Sequence, residues 1–149
     1  MLSKLPDIIL LNPYYREMIW GGRRLQALYG KALPPDVSIG ETFELSAYAE
    51  RESTAAAGPY AGHSLHELGA AHGAELVGAE VWDRYDGRFP LLVKLIDAQQ
   101  NLSIQVHPDD AYARLKGLDD AGKMEAWYIL HSENGRAAYG LQEGVGRRA

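Results

Sequence analysis

Short apolar runs separated by turn residues restrict the fold of this sequence more than any other feature. The runs that resemble β-strands cover residues 8–11, 42–48, 91–97, 102–107 and 124–131. Gly, Asn and Pro between them favour tight turns, because Gly and Asn accept a positive φ and Pro presets φ to about −65°. Strands at such short intervals predict a mainly β fold, a sandwich or barrel with short helical insertions.

Two helices are predicted from signals at their ends. Ser64 and Glu67 match the S-x-x-E capping box, in which each side chain accepts a hydrogen bond from the other residue's backbone N–H. Leucines follow the box at nearly helical spacing. A second, short helix is expected after Pro108, over residues 111–115, and Gly117 should end it.

Charge and length restrict the classes of partner. The chain has 149 residues and a formal net charge of −5, from 15 Lys and Arg against 20 Asp and Glu. We expect one domain over residues 1–149. The acidic balance and the lack of a long basic cluster argue against a nucleic-acid partner. A small-molecule ligand is the default expectation.

The sequence contains no cysteine, which excludes a disulfide framework, a thiolate zinc site and a thiol nucleophile. The apolar stretch at residues 8–11 is far shorter than the ~20 residues that a membrane span needs. Polar residues before it leave no visible export signal. We therefore expect a cytoplasmic protein with no membrane partner.

Residues 102–107 alternate between apolar and polar side chains, which places Ser103, Gln105 and His107 on one face of a predicted strand. These three side chains solubilise a surface poorly but bind ligands well. Gln105 and His107 would project about 6.6–6.8 Å apart along the strand and could converge on one ion. The alternative interpretation is that His107 is an ordinary structural histidine.

A second polar set lies around Glu125. In an extended segment, Lys123, Glu125 and Trp127 share one face. If that face met the surface of Gln105 and His107 inside a barrel, Glu125 could be a third metal ligand and Lys123 a cation for a substrate oxyanion. The alternative is a solvated ion pair worth about 0.2–1 kcal/mol.

Several motifs resemble the type I phosphomannose isomerases. They are the run at residues 90–98, L-S-I-Q-V-H-P-D-D at 102–110 and G-K-x-E-x-W-Y at 122–128, preceded by W-G-G at 20–22 and G-E-T-F-E-L-S at 40–46. The combination of Q-V-H-P with G-K-x-E-x-W-Y is specific. The resemblance implies a cupin-type jelly-roll barrel and the zinc-dependent interconversion of mannose 6-phosphate and fructose 6-phosphate through an enediol.

The resemblance also implies the role of individual residues. Three of the family's four zinc ligands are matched by Gln105, His107 and Glu125. Residues that line the substrate site are matched by Trp20, Lys94 and Ser103, the last two at the phosphate end. Lys123 matches the active-site lysine. The general base stays open between Glu125, Lys123 and a zinc-bound water.

The chain departs from the family in length. Family members are longer, and their fourth zinc ligand and a catalytic arginine lie beyond the point that residue 149 reaches. We therefore expect the amino-terminal portion of the catalytic cupin domain, with an incomplete barrel and a weakened zinc site. Open sheet edges would favour self-association.

No other histidine is expected to replace the missing ligand. His131 shares a predicted strand with Glu125 but lies roughly 20 Å along it. His63, His66 and His72 fall in or beside the first predicted helix and are expected on the solvated surface.

Three functions therefore stay open. The first is the isomerase, and the second is a non-catalytic cupin-like remnant that binds a sugar phosphate or a metal. The third is a metal-binding cupin of other chemistry, such as an oxygenase. Such cupins usually present several histidine ligands, and only His107 is well placed in this sequence.

Overall fold

The computed structural model describes residues 4–140 and 142–144. Its strands are β1 (Leu11–Asn12), β2 (Tyr14–Gly22), β3 (Ile39–Leu45), β4 (Thr54–Ala55) and β5 (Val93–Ile96). Its α-helices are α1 (Arg24–Tyr29), α2 (Leu65–Val77), α3 (Ala79–Arg84) and α4 (Asp110–Leu115). The chain forms two compact units, Met1–Leu102 and Ser103–Ala149. The expectation of a single domain over residues 1–149 stays a prediction.

The first unit contains a three-stranded antiparallel sheet in the order β2-β3-β5. Arg16 lies opposite Glu41, and Phe43 lies opposite both Tyr14 and Lys94. Directly opposed residues project from the same face of a sheet, so these five side chains share one face. A separate two-stranded sheet pairs β1 with β4.

Two glycines permit the close approach of β2 and β3. A Cβ on Gly21 would lie 2.5 Å from the backbone nitrogen of Gly40, and a Cβ on Gly40 would lie 2.6 Å from the Cβ of Met18. Neither position has room for a side chain. The glycines of the W-G-G and G-E-T-F-E motifs therefore have a structural role in the pairing of these strands.

Two apolar clusters hold the first unit together. Helix α1 packs on the sheet through buried side chains, with partly buried neighbours around them: Leu25, Leu33, Ile39, Tyr15, Val37 and Leu95. Helix α2 packs beside the two-stranded sheet, with its Leu68 in a cluster that also contains Ala55 of β4 and Tyr60. Because Tyr15 and Leu95 belong to the first cluster, the face of the sheet that packs on α1 is opposite to that of Arg16 and Glu41.

The starts of α1 and α2 are stabilised in different ways. At α2 the capping box is confirmed, since Ser64 Oγ accepts from the Glu67 N–H at 3.1 Å and Glu67 Oε2 accepts from the Ser64 N–H at 2.9 Å. Helix α1 has no side-chain cap of its own. Instead the buried Asp97 accepts a hydrogen bond from the Arg24 N–H at 2.6 Å, across 73 residues of sequence.

The structure corrects several predictions. The strand predicted at 91–97 is confirmed as β5, and that at 42–48 is formed as β3 with an earlier start. The strands predicted at 102–107 and 124–131 are wrong, because these described residues form no ladder. Strand β2 and helices α1 and α3 were not predicted. In the described residues the sheets do not close into a jelly-roll barrel.

Within the ranges 4–140 and 142–144, every helix is too short or too polar to cross a lipid bilayer.

Candidate functional site

The histidine and the glutamate of the two polar motifs meet in the second unit. His107 Nε2 lies 2.8 Å from Glu125 Oε2, and the two side chains are 26% and 23% exposed. Lys123 Nζ lies 3.5 Å from the same carboxylate oxygen. Because a carboxylate only accepts, the imidazole donates from Nε2 in this arrangement. An imidazole, a carboxylate and an ammonium group thus surround one partly exposed point.

Gly122 explains why the two segments approach each other. A Cβ at this position would lie 2.3 Å from the backbone nitrogen of Asp110, so any side chain would force the segments apart. The Gly122 N–H donates to Asp110 Oδ1 at 2.9 Å. The neighbouring Lys123 N–H donates to the Pro108 carbonyl at 2.9 Å. These contacts join the residues after His107 to the residues before Glu125.

Helix α4 gives this junction a defined start. Asp109 is its N-cap and accepts from the Tyr112 N–H at 2.7 Å. The helix predicted over 111–115 is therefore confirmed, with a start at Asp110. Gly117 follows it with φ of +60°, a conformation that glycine adopts without strain.

Gln105 and Ser103 form a separate pair. Gln105 Nε2 donates to Ser103 Oγ at 2.7 Å, and both residues are exposed. In the described part of the chain no hydrogen bond joins Gln105 to His107 or Glu125. The donor in the hydrogen bond to Ser103 is the amide nitrogen of Gln105. The role of its amide oxygen as a metal ligand stays a prediction.

The donor set agrees with zinc in chemical type. Zinc binds imidazole nitrogen and carboxylate oxygen, and its catalytic sites use such N and O ligands and retain an open position. His107 and Glu125 present one donor of each kind at hydrogen-bond distance. No group of three or more His, Cys, Asp or Glu side chains that could hold a metal occurs in the described residues. A third ligand from this part of the chain would therefore come from another residue type, as an amide would.

Lys94 lies in the first unit, in an ion-pair cluster on the sheet. Lys94 Nζ donates to Glu41 Oε1 at 2.6 Å, and Arg16 Nη1 donates to Glu41 Oε2 at 2.7 Å. The Lys94 ammonium also lies 5.6 Å from the centre of the Phe43 ring. Burial raises the pKa of the Glu41 carboxyl, but the hydrogen bonds and charges of Lys94 and Arg16 outweigh burial and set that pKa below its usual value. Glu41 is thus an anion at neutral pH.

Trp20 lies on β2 in the same unit. Its ring edge covers the backbone of β3, and a Cβ on Gly40 would lie 2.7 Å from Trp20 Cζ3. The Trp20 carbonyl accepts a hydrogen bond from the Gln99 N–H at 2.9 Å. Gly40 therefore positions the indole, and the substrate-binding role of Trp20 stays a prediction.

Arg16 and Glu41 were not among the site residues predicted from the sequence. Glu41 could have been found, because the strand it occupies alternates and places Glu41 and Phe43 on one face. Arg16 could not be assigned to that face in the same way, since β2 was not predicted and its register is irregular on both sides of Glu17.

Of the remaining histidines, His66 is exposed, as expected, and the other three have local partners. His131 Nε2 lies 3.3 Å from Glu133 Oε1, and His63 Nδ1 lies 3.3 Å from Glu67 Oε2. The expectation of a solvated surface is wrong for His72. Its side chain is only 12% exposed, and its Nε2 lies 3.1 Å from the hydroxyl of the buried Tyr60.

The sequence matches the family described as phosphomannose isomerase type I, catalytic domain, over residues 8–138. The protein named probable mannose-6-phosphate isomerase GmuF of Bacillus subtilis is 42% identical over 123 residues, which are 82% of this chain and 37% of that protein. Mannose-6-phosphate isomerase ManA of the same organism is 39% identical over 82% of this chain and 36% of its own length. The chain therefore belongs to the type I phosphomannose isomerase family.

A solved structure agrees with this assignment. The crystal structure of the mannose 6-phosphate isomerase from Bacillus subtilis matches with a TM-score of 0.66 and 41% identity, over 76% of this chain and 34% of that one. The resemblance of the motifs to this generally metal-dependent family is confirmed. The chain spans a little over a third of the length of GmuF and of ManA.

Proposed function

We propose that this chain supplies zinc ligands and the active-site lysine of an isomerase that interconverts mannose 6-phosphate and fructose 6-phosphate. The observation that best supports the proposal is the convergence of His107, Glu125 and Lys123, with a 2.8 Å contact between the first two. The relatives at about 40% identity are named mannose-6-phosphate isomerases, which supports the choice of substrate.

The metal site would use His107, Glu125 and the amide oxygen of Gln105. Because only Glu125 is anionic among these ligands, the bound ion would keep a positive charge. Zinc, when bound, would stabilise negative charge on the substrate oxygens at C1 and C2. The proton on His107 Nε2, which is donated to Glu125, would move to Nδ1 or be released to solvent on binding, since a metal ligand must present a lone pair.

Lys123 would act on the substrate directly. Its ammonium group lies 3.5 Å from Glu125 and its side chain is 41% exposed, so Lys123 can donate to a substrate oxygen without breaking a buried contact. A charge-assisted hydrogen bond from Lys123 would orient the oxygen beside the carbon that loses its proton. Ligation would make Glu125 a weak base, and the Lys123 ammonium, which only donates, would not serve as the base in this form.

Trp20, Lys94 and Ser103 would bind the sugar phosphate. Lys94 supplies a positive charge for the phosphate, and Ser103 a hydroxyl group. A cupin-type jelly-roll barrel is the fold that we propose. The relatives and the strand-rich first unit support it. We also propose a cytoplasmic location, on the composition of the chain.

Metal content and isomerase activity of the purified chain test the proposal. We expect zinc binding that His107→Ala weakens by at least tenfold, as loss of one ligand does, whereas His131→Ala leaves it unchanged. His131 is a matched control, because it also contacts a glutamate near the surface. Equal zinc affinity of the two variants would contradict the assignment.

A coupled assay with mannose 6-phosphate separates the two leading functions. Turnover that Lys123→Ala abolishes supports the isomerase. Zinc binding without turnover supports the second candidate, a non-catalytic module. That candidate is favoured by one observation, the nearly complete exposure of the apolar side chains Ile104, Val106 and Met124. Such exposure is typical of a surface that lacks its packing partner.

A further inference from the structure

One face of the three-stranded sheet holds two cations that share one carboxylate. Glu41 on β3 accepts a hydrogen bond from Arg16 on β2 at 2.7 Å and one from Lys94 on β5 at 2.6 Å, each on a different oxygen. The two cations are therefore close together, separated only by the carboxylate and one hydrogen bond on each side of it. The strand register produces this geometry, because Arg16 lies opposite Glu41 and Lys94 lies opposite Phe43, two residues farther along β3.

The charges of this cluster do not balance. Two positive side chains and one negative side chain leave one surplus positive charge in a partly desolvated place. The side chains of Glu41 and Lys94 are only 6% and 18% exposed. One cation is enough to neutralise the carboxylate, so the second cation is partly desolvated without a second negative charge to balance it. An anion would compensate that charge.

The cluster is also open to a ligand. Arg16 is the more exposed member, at 38% of its side chain, and the described structure gives it one hydrogen bond through one of its five N–H groups. Lys94 likewise uses one of its three N–H groups on Glu41. The opposite face of the sheet packs on α1, so this face is the one not occupied by that core.

We propose that Arg16 is a second phosphate-binding residue beside Lys94, and that Glu41 is the positioning residue that holds the two cations together. This inference rests on the proposed function, because the substrate of that function has a phosphate dianion. The remaining N–H groups of the guanidinium and the ammonium would donate to different phosphate oxygens. Planar guanidinium groups match phosphate in this way, with two parallel hydrogen bonds.

Binding of mannose 6-phosphate and of inorganic phosphate to the full chain tests the role of Arg16. Titration followed by NMR or calorimetry should show that Arg16→Gln lowers the affinity for both ligands by about tenfold, the loss expected for one charge-assisted contact. Arg16→Lys should weaken them less, because it keeps the charge but not the fork. Mannose, which has no phosphate, should be unaffected by either change.

Arg84→Gln is the matched control. Arg84 also donates to a carboxylate, Glu80, at 2.6 Å, but on an exposed helix surface. It should leave phosphate binding unchanged. Equal phosphate affinity of Arg16→Gln and the unchanged chain would overturn the role of Arg16. No binding of either phosphate compound by the unchanged chain would overturn it too.

The role of Glu41 is tested by whether Glu41→Gln strengthens or weakens phosphate binding. If the carboxylate merely repels the ligand, Glu41→Gln raises the net positive charge and strengthens phosphate binding. If Glu41 positions the two cations, the same change weakens phosphate binding, because Arg16 and Lys94 repel each other and separate. We expect weaker binding, with recovery in Glu41→Asp. Stronger binding in folded Glu41→Gln would overturn the positioning role.

Failure of this inference differs from failure of the proposed function. Isomerase turnover with a KM for mannose 6-phosphate that Arg16→Gln does not change would overturn the inference and leave the function standing. Phosphate binding that depends on Arg16, in a chain without turnover, would support the inference and contradict the function.

Discussion

The two units contain ionic contacts of similar length in different surroundings. In the first unit, Glu41 is buried between Arg16 and Lys94 on hydrogen-bonded strands. In the second, His107 and Glu125 meet at 2.8 Å on segments that form no ladder. Backbone pairing would hold the first contact in place whether or not a ligand is present. The second depends on a few local contacts around Gly122.

This difference predicts which substitutions change the stability of the chain and which change metal binding. Breaking a buried ion pair leaves a charge without compensation and costs several kcal/mol, whereas an exposed pair contributes little. We therefore expect substitutions at Glu41 to change the free energy of unfolding. Substitutions at Glu125 should change mainly metal binding.

The largest effect is expected for Glu41→Gln. Removal of the shared charge should lower the free energy of unfolding by about 3 kcal/mol, because Arg16 and Lys94 lose their common partner. Urea denaturation measures the change. Glu17→Gln is the control, since Glu17 is an exposed residue of the same strand as Arg16. A change as small as that of the control would remove the contrast between the two units.

Gly122→Ala should have the next largest effect. The added Cβ would lie 2.3 Å from Asp110 N, so the segments must separate, at a cost of about 2 kcal/mol. Separation of His107 from Glu125 should also weaken zinc binding. Gly69→Ala is the matched control, because its Cβ would meet Trp82 at an ordinary 3.7 Å. Unchanged zinc affinity in Gly122→Ala would show that Gly122 does not assemble the site.

Acid should produce a smaller effect, through Glu41 of the first unit. The pKa of Glu41 is lowered in the folded chain, so its contribution to stability is present above the usual carboxyl pKa of 4.5. It is lost as the pH falls through the lowered pKa. Urea unfolding at a series of acidic pH values should show this loss, and Glu41→Gln should reduce it. An identical pH dependence in both proteins would show that the Glu41 carboxylate is not its source.

The smallest effect on stability is expected for Glu125→Gln. Its pair with His107 is partly exposed, and without metal its loss should cost no more than about 1 kcal/mol. Zinc titration of the same variant should show a weakened site. The contrast between the units would be lost if Glu125→Gln destabilised the metal-free chain as much as Glu41→Gln.

Prediction from sequence succeeded where the relevant contacts are local. The box of Ser64 and Glu67 lies within four residues, and α2 begins where it indicates. Helix α1 was not predicted, because the N–H of its first residue, Arg24, is satisfied by Asp97, 73 residues away. Strand β2 was missed because Gly21, which weakens a strand signal, is explained only by its contact with Gly40 on β3.

The predictions of strands at 102–107 and 124–131 were also wrong because a strand depends on contacts that are not local. Alternation describes which side chains share a face, but a strand also requires a neighbour to pair with its backbone. In the described residues these segments have no such neighbour, and their apolar side chains Ile104, Val106 and Tyr128 are exposed. The alternating pattern was therefore insufficient to predict a ladder.

The amino-acid sequence alone determined the family, the capping box of α2, the place of α4 after Pro108, and the candidate residues His107, Glu125 and Lys123, because motifs and capping depend on residue type at short spacing. Tertiary structure alone decided that Gly122 brings His107 to Glu125 and that Arg16 shares Glu41 with Lys94. Both contacts join segments distant along the chain, and their distances depend on backbone approach, which residue types do not specify.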